Sequence, residues 1–389
     1  MDQRTEKVLI FFLFLVLLQS SGNGAYGFEP FHVRNRNYPR QPAFKLPYKP
    51  KWVSRVKKGG VFKYKRREFS SPVVYEDRIF VGTESGYFYA MKKKNGRRVW
   101  RFKTEGSVSS RPGIRNGKVF FGDDEGYFYA LDLQTGEKIW SLNLDAEILT
   151  APALKGDQLF LVTVEGRVVA LTEREGTILW ERQHSTRPLQ MTIRGNSTPV
   201  LDPEGNLYVG FADGTFWSLS SKTGKILWER RIESGERFHD LDGVPLIEGD
   251  RIYISSFDGP LTAVTKSGRI LWSVSVGSAV PFLSEKDLLY VSDSQGSLLA
   301  LQKKDGSTLW KTKVGEGALT APLLHNDVIA VGLSSSTMNF VDRTTGRLMF
   351  RRFAKKGISS DPFLDGDQLC YLSNGGRLYS LKMVDKSVP

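Results

Sequence analysis

Hydrophobic residues in this chain fall in short runs such as KVFFGDD, GYFYALDL and EKIWSLNL, separated by turns that carry glycine. The runs are five to eight residues long and rich in aromatic and β-branched side chains, which predicts strands rather than helices. One run is written almost twice: GYFYAMKKKNGRRVW at 86–100 returns as GYFYALDLQTGEKIW at 126–140. Aligned on the final aromatic, the series continues through Trp52, Trp100, Trp140, Trp180, Trp228, Trp272, Trp310 and Phe350, with spacings of 48, 40, 40, 48, 44, 38 and 40. Seven of these residues have a glycine four positions earlier, and only Trp52 lacks it. Periods of this size mark a repeat architecture.

Within each unit, pairs such as Asn95-Gly96, Thr135-Gly136 and Asp305-Gly306 join two strands. Glycine supplies the positive φ that a tight hairpin needs. The segments SSRPGI, TAPALK and TAPLLH place proline at the start of another strand, where its missing N–H does least harm. Four short antiparallel strands make one propeller blade. The third strand recurs near Tyr89, Tyr129, Val169, Trp217, Thr262, Leu299, Asn339 and Tyr379, so the chain is read as an all-β, eight-bladed propeller. The last unit ends at GRLYSLKMV without its aromatic strand, and KWVSRV at 51–56 is that strand. An N-terminal strand therefore completes the last blade and closes the ring, which removes open sheet edges. The Trp series and Phe350 are read as structural, packed between neighbouring sheets with the indole N–H bonded to a carbonyl.

At 389 residues a chain would ordinarily form two domains, unless repeats spread its core over many small units. Residues 1–27 read as a signal peptide, with an eleven-residue apolar core from Val8 to Leu18 and small residues at Ala25 and Gly27. Residues 51–389 form the propeller. Between them, 28–50 is a proline-bearing basic arm: 28–67 holds thirteen Lys and Arg against one acid, which is most of the net charge of +13. Such an arm suits an anionic membrane surface or an acidic partner, and equally a solvated linker. Nucleic acid is not expected for an exported chain. Cys370, the single cysteine, allows no internal disulfide and reads as a small core residue.

The unit A-L-D-x-x-T-G-x-x-x-W, seen in ALDLQTGEKIW, resembles the repeat of the pyrroloquinoline-quinone (PQQ) type propellers. Two branches share it: quinoprotein dehydrogenases, with PQQ and calcium in the channel, and the cofactor-free BamB family of the outer-membrane barrel-assembly machinery. One cysteine cannot supply the adjacent pair typical of the first branch, and no carboxylate cluster suggests calcium. The expectation is no catalytic residue, no cofactor and no metal. Resemblance to the BamB family covers about residues 50–383 and extends to two enlarged units. RPLQMTIRGNSTP at 187–199 is similar to that family's first insertion, with Met191, Ile193 and Arg194 at the matching positions. ERFHDLDGVP at 236–245 is similar to its acidic loop, with Asp240 and Asp242.

What the resemblance implies is a periplasmic scaffold at the inner face of the outer membrane, monomeric within a larger complex. Those five residues would dock on POTRA domains of a BamA-type barrel protein. Apolar side chains beside an arginine and two acids have the make-up of an interface hot spot. They also suit plainer roles, since Met191 and Ile193 could fill a strand core and the two acids could order a turn. One departure stands out: the family's lipidated cysteine after the signal peptide has no counterpart here. A quinoprotein dehydrogenase, or an envelope propeller with another partner, remain the alternatives.

Overall fold

The computed structural model describes residues 48–56, 69–184, 196–232 and 240–384. Among these described residues, thirty-two strands are arranged in eight four-stranded antiparallel sheets. Blades 1 to 7 run in chain order over residues 73–103, 113–143, 153–183, 200–231, 246–274, 283–313 and 323–353. Blade 8 joins residues 363–383 to the N-terminal strand Tyr48–Arg55, which pairs along the outer edge of Arg377–Met383. The ring is closed by this strand, as the missing aromatic segment of the last repeat implies. The strand includes Tyr48, three residues before position 51, and the Tyr48 ring stacks on Phe340 at 5.0 Å and meets Phe350 edge-on at 5.7 Å.

No single core exists. Eight apolar clusters each draw on two consecutive blades, one cluster per junction, including the one between blades 8 and 1. The second and third strands of every blade are almost wholly buried, while the outer strand is largely exposed. At one such junction Phe88 of blade 1 stacks on Phe121 of blade 2 at 3.9 Å. Cys370 is buried within the junction of blades 8 and 1.

The tryptophans lock each blade to the next. Trp100 Nε1 donates to Leu133 O (3.2 Å) in the following blade, and Trp52, Trp140, Trp180, Trp228, Trp272 and Trp310 do the same to Lys93, Glu173, Ser221, Lys266, Lys303 and Arg343. A one-residue bulge precedes the aromatic in every outer strand. In blade 1, Ala90 pairs with Trp100 but Met91 with Arg98, leaving Val99 over. The extra residue turns the indole toward the neighbouring blade and leaves an aliphatic side chain outside, as Val99, Ile139, Leu179, Leu227, Leu271 and Leu309 all are.

The repeated glycine has a second task beyond its positive φ. The indole of one blade lies flat on the glycine of the next, so a Cβ on Gly136 would sit 2.5 Å from Trp100 Cδ2. Blade 8 lacks this hairpin, because its third and outer strands come from opposite ends of the chain. Phe350 of blade 7, which has no indole N–H, faces this blade and packs on Tyr48.

A matched pair of substitutions separates backbone strain from this inter-blade contact. A methyl group added at Gly117 (φ +70°) would meet open space, whereas one at Gly136 (φ +77°) would meet the Trp100 ring. Gly117→Ala should cost about 1–2 kcal/mol of stability from strain alone. Gly136→Ala should cost about 1–3 kcal/mol more from the clash. Equal costs, read by chemical denaturation, would show that the indole–glycine contact does not hold the blades.

Candidate functional site

Strand order puts every blade-to-blade connection on one face of the ring, together with the turns between second and third strands. Most of these connections are eight or nine residues long, as at 104–112 and 275–282. Three are longer: 184–199 (16 residues), 232–245 (14) and 56–72 (17). The first two are the enlarged units seen in the sequence. The third, at the closure, accounts for the spacing of 48 between Trp52 and Trp100.

Both expected insertions are rooted on one turn of blade 4, residues 211–214. The first connection starts at His184, whose ring stacks on Phe211 at 4.2 Å and meets Trp217 edge-on at 4.9 Å. His184 Nε2 lies 3.0 Å from the Asp213 carboxylate. The connection returns through Asn196, a buried amide that ties two blades together. Its Nδ2 donates to Thr163 O (2.8 Å) and Val164 O (3.1 Å), and its Oδ1 accepts from Ala212 N (3.0 Å). Ser197 Oγ accepts from Gly210 N at 2.7 Å.

The second connection starts at Ile232, whose N–H reaches Gly214 O (2.9 Å), and returns at Leu241, whose N–H reaches Phe211 O (3.1 Å). Leu241 is buried against Gly210, where a Cβ would stand 2.7 Å from its own. Phe211 therefore holds both insertions, one by its ring and one by its carbonyl.

Of the five residues singled out in the sequence, Met191, Ile193 and Arg194 lie outside the described residues, as does His239. Asp240 and Asp242 are described and are buried, at 0% and 6% exposure. Neither carboxyl is open to solvent. Leu241 inserts beneath the blade 4 turn and draws both flanking carboxylates inward, where Asp242 accepts Phe257 N at 3.1 Å. They shape the root of the insertion. Trp217, outside the tryptophan series, donates to Glu229 Oε2 at 2.7 Å and is buried.

His184, Asp213 and Phe211 carry no sequence signal of their own, since the histidine stands 27 and 29 positions from its partners and the three follow no motif. Burial disfavours the Asp213 carboxylate, but hydrogen bonds from His184 and Thr215 outweigh it and hold its pKa at about 2. Among the described residues, no group of three or more His, Cys, Asp or Glu could hold a metal ion.

The sequence profile of the family described as outer membrane protein assembly factor BamB matches residues 51–141 and 85–312. Curated relatives include the outer membrane protein assembly factor BamB of Alkalilimnicola ehrlichii, 31% identical over 50% of this chain and 53% of that protein. The BamB of Escherichia coli is 26% identical over 49% of this chain and 51% of that protein. The chain thus spans about half the length of the curated relatives it matches. Among solved structures, BamB from Moraxella catarrhalis superposes with a TM-score of 0.75 at 20% identity, over 86% of this chain and all of that one. Quinohemoprotein alcohol dehydrogenase from Comamonas testosteroni reaches 0.71 at 13% identity, over 88% of this chain and 77% of that one. Structural likeness at these identities speaks to the fold alone.

The His184–Asp213 pair sets a pH dependence with a definite sign. A carboxyl whose folded pKa lies below the usual 3.8 stabilises the fold above about pH 4 and loses that effect as pH falls toward 2. Asp213→Asn should cost about 1–2 kcal/mol near neutral pH, after allowance for partial exposure. Denaturation curves of the two proteins should converge as pH is lowered from about 4 to about 2. A gap that stays constant with pH would mean the carboxylate charge contributes nothing there.

Proposed function

Because the chain belongs to the family of outer membrane protein assembly factor BamB, we propose that it is a non-enzymatic scaffold in the assembly of outer-membrane β-barrel proteins. It works in the periplasm at the inner face of the outer membrane, as a single copy within a larger complex. Residues 1–27 direct export and 28–50 form a basic arm ahead of the propeller. Its partner is the POTRA region of a BamA-type barrel protein, bound by the insertions at 184–199 and 232–245.

One observation carries this reading: two long connections on consecutive junctions rise from a single rigid turn, Phe211–Gly214. Binding residues on loops positioned by a fixed scaffold are the usual way a repeat fold acquires a partner. Met191, Ile193 and Arg194 supply the contact side chains, and Asp240 and Asp242 hold the adjoining root in shape. A dehydrogenase reading would need a carboxylate and amide set for calcium. Among the described residues, no three His, Cys, Asp or Glu side chains are grouped so as to hold a metal ion.

Arg194→Glu should weaken binding to the periplasmic region of a BamA-type protein by about 30-fold or more, the effect of losing a hot-spot arginine. Replacing 186–194 with a Gly-Ser linker should abolish binding while the tryptophan fluorescence of the ring is kept. Lys304→Glu, in an exposed hairpin of blade 6, serves as the control. Wild-type affinity in both altered proteins would place the docking surface elsewhere.

A further inference from the structure

Closure of the ring brings together two ends of the chain that are rich in cations. Blade 8 with its flanks (48–56 and 354–384) and blade 1 (69–103) hold fifteen Lys and Arg against six acids. Blades 2 and 3 (104–183) hold eight against thirteen. The acids on the basic side are largely engaged already. Asp365 pairs with Lys93, Asp367 with Lys382 (3.2 Å) and Asp77 with Arg78 (3.7 Å), while Asp361 accepts Ala321 N (2.8 Å).

Six of the fifteen, Arg55, Arg101, Lys103, Lys355, Lys356 and Arg377, stand toward the connection face, where the acids of these segments are only Glu84 and Asp361; the other nine flank the turns of the opposite face. Arg55 and Arg377 stand directly opposite each other across the closing strand pair, and both are exposed. Like charges in that position destabilise a sheet. Beside them, the turn at Lys355 and Lys356 is fixed by Gly375 N to Lys355 O (3.2 Å) and Asn374 Nδ2 to Lys356 O (3.1 Å). On the other flank Arg101 and Lys103 lie over the Tyr87 ring at 5.3 and 5.2 Å. Amid these cations Phe353 is 73% exposed, the most exposed large apolar side chain among the described residues. No bulge places it there, since the extra residue of that strand is Met349.

We propose that this rim of blades 7, 8 and 1 lies on an anionic lipid bilayer, with Phe353 entering the headgroup region. The chemistry fits a bilayer better than an acidic polypeptide for two reasons. The cations are spread over exposed positions of neighbouring blades rather than set around one point, with Arg55 and Arg377 on blade 8, Lys355 and Lys356 between blades 7 and 8, and Arg101 and Lys103 on blade 1. An aromatic ring projecting among Arg351, Lys355 and Lys356 matches the way amphipathic surfaces engage a membrane interface. The proposed docking surface stands at blades 3 to 5, across the ring, so one protein could hold a partner and a membrane at once.

Each cation near an anionic surface strengthens binding by about fivefold. The test is co-sedimentation of the full mature chain with vesicles of phosphatidylethanolamine containing about one third phosphatidylglycerol, and with vesicles lacking it. Lys355→Ser combined with Lys356→Ser should lower anionic-vesicle affinity by about tenfold or more. Lys222→Ser with Lys225→Ser, an exposed pair on blade 4, should change it by less than about threefold. Phe353→Ser should weaken binding by a factor that persists when salt is raised, since salt screens only the charges. The proposal is overturned if the two double variants behave alike, which would leave all binding to other parts of the chain. It is also overturned if vesicles without phosphatidylglycerol bind as well, or if the rim variants lose polyglutamate binding but keep vesicle binding, which would make the rim a site for acidic polypeptides.

Discussion

The indole laid on the neighbouring blade's glycine is the contact on which the architecture depends. A propeller blade is a small sheet with two apolar faces, and it is stable only when both are covered. Here each tryptophan covers a hairpin of the next blade and bonds to its carbonyl, while the glycine beneath has no side chain to hold the two apart. The bulge before the tryptophan aims the ring, and the positive φ of the glycine shapes the turn that receives it. Seven junctions use this device. The eighth does not: its blade is assembled from both chain ends, and there Phe350, Tyr48, Phe340 and Arg352 pack together instead.

A ring locked in this way leaves little freedom inside the blades, and variation is confined to the connections on one face. Two long connections rise together from the Phe211–Gly214 turn, held by the His184 stack and by Leu241. The third long connection and the surplus of cations lie across the ring, at the closure. The proposed functions thus occupy two separate parts of one face, and the rigid ring between them fixes their distance. A scaffold needs that property more than it needs a pocket.

The fold was legible because its determinants are local and repeated. Tryptophan spacing gave the number of units, glycine marked the hairpins, and the incomplete last unit pointed to the N-terminal strand. The glycine's contact with a tryptophan of the preceding blade was not legible from any one repeat. Nor was the setting of Phe350, which packs on Tyr48 from the other end of the chain. The longer connections showed as irregular spacings, but their roots did not. Asp240 and Asp242 read as docking residues by resemblance or as acids ordering a turn, and neither reading showed that the leucine between them is captured by Gly210, a contact thirty-one residues away. His184 and Asp213 meet only once blades 3 and 4 are side by side. The basic rim likewise needs closure, since positions 55 and 377 become neighbours only in the ring.

The central claim is that the connections of blades 3 to 5 form the face that meets the assembly partner. Hydrogen–deuterium exchange of the full mature chain, alone and with the periplasmic region of a BamA-type protein, addresses it without altering a residue. The account predicts slowed exchange confined to 185–195, 233–239 and the 211–214 turn, with the outer strands and the closure rim unchanged. Protection centred on the closure rim or the opposite face, with none at these connections, would contradict it.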